Sequence, residues 1–265
     1  MDALADRLAS ELRAVRKNPA RAESVRRART AARRLLAAGE LWASASPGWR
    51  RLRERLPRVV RRLGALRNLD VAIALLVEGP REEREARKAL ARYFRKLRRK
   101  EREAVQRWLS EERVDRLARA VDRVVKDLRK RPMREIPGPP DLAPHLARLL
   151  TLLPGAGDPK GAHEVRRQVR RLRYAHETLE WAYDPADFSR AIKLLTRIQA
   201  AAGQWQDRCV VEELAGRAVR KGRVAVPLTG LLARLQDESQ IHAARFVSAA
   251  SELSGARWFI LGEFL

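Results

Sequence analysis

Apolar residues recur with the period of an α-helix along nearly the whole chain. The first fifteen residues, MDALADRLASELRAV, form an amphipathic helical pattern and begin with acidic residues instead of the apolar core of a secretory signal. The only β-like run, at 223–228, contains a proline, which disfavours a strand. The pattern therefore predicts an all-α fold.

Proline and glycine divide this pattern into long helices. The predicted breaks are Asn18-Pro19, Ser46-Pro47-Gly48, Gly79-Pro80, Arg131-Pro132, Pro137 to Pro140, Pro154 to Pro159, Asp184-Pro185 and Lys221-Gly222. The densest break, IPGPP at 136–140, predicts a boundary between two halves of one domain, the first at 1–135 and the second at 141–265.

The two halves repeat each other, which is the most informative feature of the sequence. SVRRARTAARRLL (24–36) aligns with AHEVRRQVRRLRY (162–174), and LGALRNLDV (63–71) aligns with AGQWQDRCV (202–210). Arg166 follows Arg29 by 137 residues, and Gly203 follows Gly64 by 139. Two motifs in the same order at nearly the same spacing predict two related four-helix-bundle-like halves, packed about a pseudo-two-fold axis.

The segment at 162–180 carries two stripes when it is drawn as a helix. The apolar stripe consists of Val165, Val169, Leu172 and Leu179. The cationic stripe, centred about 120° away, consists of His163, Arg166, Arg170 and Arg173. A stripe at this angle borders the core and can line a groove or cavity between helices. The first repeat places Arg26, Arg29 and Arg33 in the same way.

Charge makes these stripes informative. The 265 residues include 57 basic and 33 acidic ones, for a formal net charge of +24, and only nine of the basic residues are lysine. Like charges on one helix face repel each other, with Glu177 the single carboxylate placed to pair with Arg173. Arginine also offers a planar fork of donors that matches phosphate oxygens. A solvated basic face explains one such stripe, but its duplication beside the core favours a bound polyanion.

Composition limits the other possibilities. A single cysteine, Cys209, excludes an internal disulfide framework and a cysteine-based zinc site, and it fits a reducing, cytoplasmic compartment. No stretch approaches about 20 apolar residues, so no membrane span is expected. No P-loop, cofactor motif, metal-ligand spacing or convincing cluster of carboxylates is found, so the sequence predicts a binding protein and not an enzyme.

The arginine motifs resemble a known family. H-x-x-R-x-x-x-R-R-L-R-Y at 163–174 and its weaker copy at 25–35 resemble the signature of the CHAD family, the conserved-histidine α-helical domain. L-G-x-x-R-N-x-D-V at 63–71 and QAAAGQWQD at 199–207 resemble its further motifs. The resemblance implies two similar four-helix units with a basic central cavity that binds inorganic polyphosphate, and association with polyphosphate granules.

The resemblance also implies which residues contact phosphate. They are Arg26, Arg29, Arg33, Arg34 and Arg67 in the first half, and His163, Arg166, Arg170, Arg171, Arg173, Lys193 and Arg197 in the second. Lys193 and Arg197 match less well, since they precede the second motif by one to two turns. The sequence departs from the family pattern at Arg26, where a histidine is expected, and at Asn68 and Gln206, which replace parts of the RD pair.

Several other residues receive a structural interpretation. His176 lies on the apolar stripe and is expected to be a hydrogen-bonded core histidine. Asp70 and Asp207 are expected to hold arginines in place, because an unpaired carboxylate would repel a phosphate ligand. Gly64 and Gly203 are expected to mark kinks or close helix contacts. The six tryptophans are expected in the core or at helix contacts, and the run at 86–108 as a solvated basic helix of the bundle.

Two other functions compete with polyphosphate binding. A nucleic-acid-binding protein is compatible with the net charge, although no helix-turn-helix, zinc-finger or RNA-binding signature accompanies it. A phosphohydrolase would need clustered carboxylates for metal ions. The sequence does not indicate the oligomeric state.

Overall fold

The computed structural model describes residues 2–42, 46–130 and 142–256. These residues contain α-helices and short 3-10 turns and no strand. They divide into two compact units, one made of 2–130 with Arg223–Val226, the other of 142–222 with 227–256. The all-α prediction is confirmed. The predicted boundary at 136–140 lies outside the described residues.

The first unit contains five of the described helices. They are α1 (Asp2–Lys17), α2 (Ala22–Trp42), α3 (Pro47–Leu75), α4 (Arg84–Trp108) and α5 (Glu111–Arg129). Helices α1, α2, α3 and α5 pack in a ring, each against the next, and α4 packs against α3. The unit therefore carries one helix more than the four implied by the family resemblance.

Apolar residues at helical spacing build the core of this ring. Leu8 and Leu12 of α1 are almost fully buried, and they join Leu35 of α2 and Leu56 and Leu63 of α3 in one cluster. Burying a leucine side chain contributes about 1.5–3 kcal/mol, so this cluster fixes the helices that carry the arginines.

The second unit contains four described helices. They are α6 (Ala143–Leu152), α7 (Pro159–Thr178), α8 (Pro185–Arg220) and α9 (Thr229–Ser251), each packed against the next along the chain. Aspartates begin two of them. The Asp158 carboxylate accepts from the backbone N–H groups of Lys160 and Gly161, both at 3.0 Å, and Asp184 caps α8 in the same way. These caps satisfy donors that a helix start leaves free.

The predicted breaks within the described residues are confirmed. Asn18-Pro19, Gly79-Pro80 and Lys221-Gly222 fall between helices, and the other three contain the proline that begins the next helix, which is Pro47 of α3, Pro159 of α7 or Pro185 of α8. The predicted break at Arg131-Pro132 lies outside the described residues. One break was not predicted. Helix α4 ends at Trp108 and α5 begins at Glu111 without a proline or glycine between them. Ser110 marks this start, since its hydroxyl accepts from the Arg113 N–H at 3.3 Å.

Candidate anion-binding site

The first arginine stripe lies on α2 beside the buried face of the helix. Val25, Ala28, Ala32 and Leu35 are fully buried there. Arg29, Arg33 and Arg34 are half-buried, whereas Arg26 is exposed. Arg29 reaches across to α3, where its Nη1 lies 3.5 Å from the Gly64 carbonyl oxygen. A Cβ added to Gly64 would lie 3.8 Å from the same Nη1.

The second stripe lies on α7 and has the same relation to the core. Val165, Val169 and Leu172 are buried. Their neighbours Arg166, Arg170, Arg171 and Arg173 are half-buried, and His163 is exposed. Arg166 approaches Gly203 of α8, because a Cβ added to that glycine would lie 3.9 Å from the Arg166 Nη2. Each unit thus places its matched arginine against its matched glycine, and both glycines lie at a contact with the neighbouring helix, at ordinary van der Waals distance.

At the start of α2 the positive charge is partly neutralised. Arg26 Nε and Nη2 donate to the two carboxylate oxygens of Glu23, both at 2.6 Å, and Arg27 Nε donates to the same carboxylate at 2.8 Å. The hydrogen bonds from Arg26 and then Arg27 lower the pKa of Glu23 to about 2. Arg26 therefore enters any ligand contact with a carboxylate already beside it.

In α7 Arg173, at the C-terminal end of the stripe, is paired with a carboxylate. Arg173 Nη1 lies 2.9 Å from the Glu177 carboxylate, which confirms the predicted pair, and Arg173 Nε donates to Gln199 Oε1 of α8 at 3.0 Å. His163 Nδ1 lies 3.4 Å from Gln206 Oε1, also of α8. The side chains of α8 therefore orient both ends of the stripe.

Arg67 takes part in an ionic cluster that involves α3 and α4. Its charge acts on Asp70, whose carboxylate accepts a short hydrogen bond from Arg98 Nε of α4. Burial raises the pKa of Asp70, and the charges of Arg98 and Arg67 oppose that rise. Arg98 also donates to the Ala20 carbonyl at 2.6 Å. Asp70 holds an arginine in place, as expected.

The described contacts place two predicted residues elsewhere. Lys193 and Arg197 line a hollow of about 650 Å³ with Arg190 of α8 and Glu252. Arg197 forms an ion pair with Glu252. The α8 residues that contact the α7 stripe lie on another side of that helix. Within the second unit, the contacts of Lys193 and Arg197 therefore lie away from the stripe.

His176 is buried as predicted, but the expected hydrogen bonds are not found. Among the described residues neither ring nitrogen has a hydrogen-bond partner, and the ring packs against Tyr183 with centroids 4.7 Å apart. This burial lowers the pKa of His176 to about 4. The prediction of a hydrogen-bonded histidine was therefore wrong, since His176 packs as an aromatic ring against Tyr183.

The tryptophan prediction holds only in part. Trp49 and Trp205 are buried, and Trp42 and Trp108 are half-buried, but Trp181 is 68% exposed. Trp258 lies outside the described residues.

Sequence reasoning also missed the residues that orient the arginines. Gln199, Gln206 and Glu23 contact stripe residues, and Arg98 contacts Asp70. Gln206 carried a signal, because it falls where Arg67 stands in the first motif, and Gln199 is the first residue of the motif at 199–207. Among the described residues no group of three or more His, Cys, Asp or Glu side chains is placed to hold a metal ion. Within the same ranges no helix is long and apolar enough to cross a bilayer.

Fold and site together define an all-α protein that presents one arginine-rich helix stripe in each of two units. A family model, the CHAD domain, matches residues 1–216. The chain therefore belongs to the CHAD family. The match ends within α8, so α9 lies beyond it. No curated protein matches the chain closely enough to serve as a relative.

Proposed function

We propose that this protein binds inorganic polyphosphate through the arginine stripes of α2 and α7, and that it acts by binding and not by catalysis. The observation that carries the proposal is the matched placement of half-buried arginines beside the core in both units, with Arg29 against Gly64 and Arg166 against Gly203. Membership of the CHAD family is consistent with this ligand.

The chemistry of arginine supports a phosphate ligand. A guanidinium group is always charged and can donate two parallel hydrogen bonds to phosphate oxygens. Each charge-assisted hydrogen bond contributes about 1.5–3 kcal/mol. Partial burial strengthens these contacts, because the field of a charge is less screened near the low-dielectric core.

The repeated stripes support a polymeric ligand. We propose that the two units are related copies, and that each binds a segment of a polyphosphate chain in a basic groove. A long polyphosphate that engages one stripe raises the effective concentration of phosphates at the other. Affinity should therefore rise with chain length, and it should fall steeply with salt as counterions are released. Such a protein would reside in the cytoplasm at polyphosphate granules.

Competition by fluorescence anisotropy tests this proposal. Labelled long-chain polyphosphate is displaced by unlabelled polyphosphate, duplex DNA, RNA or short phosphates at about 150 mM salt, where exposed charges are well screened. We expect polyphosphate to compete better than DNA or RNA by orders of magnitude per charge. Equal competition by nucleic acid would contradict the proposal and favour a general nucleic-acid-binding surface.

The same assay with EDTA separates binding from metal-dependent hydrolysis. We expect unchanged affinity in EDTA and no shortening of the polyphosphate chain on a gel. Loss of binding in EDTA, or release of phosphate in its absence, would favour a phosphohydrolase that acts through metal ions.

A further inference from the structure

Trp108, the last residue of α4, lies between two hollows on the surface of the first unit. One hollow has a volume of about 280 Å³ and the other about 300 Å³. Arg58 of α3 and Trp108 line both of them. The two hollows are therefore adjoining compartments, and together they reach the size of a small-molecule site.

The first compartment combines an apolar floor and a flat wall with the exposed arginines Arg55, Arg58 and Arg116 at its edge. Its floor is formed by the buried side chains Leu12, Val59, Val114 and Leu117. The Arg113 guanidinium carbon lies 4.9 Å from the centroid of the Trp108 ring, and Arg113 Nη1 donates to the Trp108 carbonyl at 2.5 Å. Indole rings and guanidinium planes both stack on nucleobases. This compartment is suited to a planar aromatic group.

The second compartment is cationic too, and it has few apolar residues in its lining. It is lined by Arg58, Arg61, Arg62, Ala65 and Trp108. Within the described ranges neither Arg58 nor Arg61 has an ion pair or a hydrogen bond. Arg62 Nη2 donates to the Ala104 carbonyl at 3.4 Å, whereas its buried Nε has no acceptor. Three guanidinium groups around one small hollow favour a ligand with several negative charges.

The carboxylates nearest in sequence form no ion pair with the arginines of this compartment. Glu54, one turn before Arg58 on α3, is exposed and is not paired with it. Glu111 and Glu112 begin α5, directly after Trp108 and its neighbours. Glu111 pairs with Arg16 at 3.2 Å, and Glu112 pairs with Arg116 at 3.6 Å. The positive charge of the second compartment is therefore left for a ligand.

A simple phosphate would satisfy the arginines but leave the half-buried Trp108 ring uncovered. A ligand that joins a planar base to a phosphate chain covers both compartments. We propose that this site binds a nucleoside polyphosphate, with the base against Trp108 and Arg113 and the phosphates on Arg58, Arg61 and Arg62. The site uses none of the stripe residues, so it does not rest on the polyphosphate proposal.

Binding of ATP, inorganic triphosphate and adenosine to the full-length protein tests this site. Calorimetry should show ATP binding about tenfold or more tightly than triphosphate, because stacking of one base contributes this much. W108L should reduce ATP affinity to that of triphosphate and leave triphosphate unchanged. R58Q/R61Q should weaken both ligands. R92Q/R99Q removes two exposed arginines of α4 outside the site and should change neither affinity.

Equal affinity for ATP and triphosphate, insensitive to W108L, would overturn the proposal and leave a generic basic surface. If W108L does not fold, R58Q/R61Q decides the question, because both positions are exposed and unchanged ATP binding there would overturn the site. The variant R166E/R170E distinguishes the proposed ATP site from the arginine stripes. If R166E/R170E loses polyphosphate binding but still binds ATP, the protein has two separate sites. If R166E/R170E loses ATP binding and R58Q/R61Q does not, the proposed ATP site is contradicted.

Discussion

Helices α2 and α7 present the same arginine against the same glycine, but they differ at both ends of the stripe. At the first end α2 has Arg26, tied to Glu23, where α7 has the exposed His163. At the far end α7 ties Arg173 to Glu177 and Gln199. The two helices thus share the central arginines and differ in the charged residues at the ends of the stripe.

The core beneath the stripes differs as well. Gly39 of α2 aligns with His176 of α7. In the first unit the ring of Trp49 fills the space that a side chain at 39 would take. In the second unit His176 fills it and packs against Tyr183. In the first unit this space is therefore filled by an apolar ring from α3, and in the second unit by a titratable residue.

Charge reversal of the central arginines should have the largest effect. Replacing two guanidinium contacts by carboxylates in R166E/R170E or in R29E/R33E should lower the affinity for long polyphosphate at least about hundredfold. If the stripes are equivalent, the two double variants lose similar amounts in an anisotropy titration. Both should remain folded, since the four side chains are only half-buried.

The off-stripe double variant K160E/R167E is the matched control. It changes two exposed residues of α7 and alters the net charge equally. Its affinity should fall far less than that of R166E/R170E. Unchanged polyphosphate binding in a folded R166E/R170E protein would contradict the site.

The third-helix motifs offer the next comparison. Asp70 is paired with Arg98, whereas the Sγ of its counterpart Cys209 lies 3.5 Å from the Ser239 hydroxyl. D70N leaves the arginine without its carboxylate in a mostly buried position, which should cost about 2–4 kcal/mol. C209A should cost about 1 kcal/mol or less. Urea denaturation measures both, and equal losses would show that the ionic cluster does not stabilise the first unit.

Acid should destabilise the second unit selectively, because His176 and His242, the two histidines whose pKa is lowered by burial, lie in it. The pKa of His176 is lowered by burial from 6.5 to about 4. Between these values the unfolded chain binds a proton that the folded protein does not, so stability falls as the pH falls from 6.5 to 4. The loss should be about 3 kcal/mol. Hydrogen exchange resolved by peptide measures it in each unit.

Substitutions of histidine identify the cause of that loss. H176F keeps a ring against Tyr183 and should remove most of the acid effect, whereas H163Q changes an exposed side chain and should not. His242 contributes in the same direction, because burial lowers its pKa too. Glu23 loses its ion pairs mostly below this pH range, as its pKa is about 2. An equal loss in the first unit between pH 6.5 and 4 would contradict the assignment.

Local periodicity explains which parts of this description the sequence predicts. The buried stripe of α7 and the pair of Arg173 with Glu177 depend only on the helical period. The contact of Arg98 with Asp70 and that of Gln199 with Arg173 depend on how neighbouring helices pack, which periodicity does not specify. The break between α4 and α5 escaped prediction because no proline or glycine marks it, and its signals are the Ser110 cap and the two glutamates that follow it.

Glycine substitutions in the stripe helices give the smallest expected effect. A Cβ at Gly64 or Gly203 would lie at ordinary contact distance from its arginine. G64A and G203A should therefore each stabilise the protein by about 0.5–1 kcal/mol, since glycine disfavours a helix interior. G39A should instead destabilise it by about 1–3 kcal/mol, because the added carbon would overlap the buried Trp49 ring. Thermal denaturation distinguishes the two classes. Destabilisation by G64A equal to that by G39A would mean that the Arg29 guanidinium cannot shift, and that the contact on α3 is as rigid as the core.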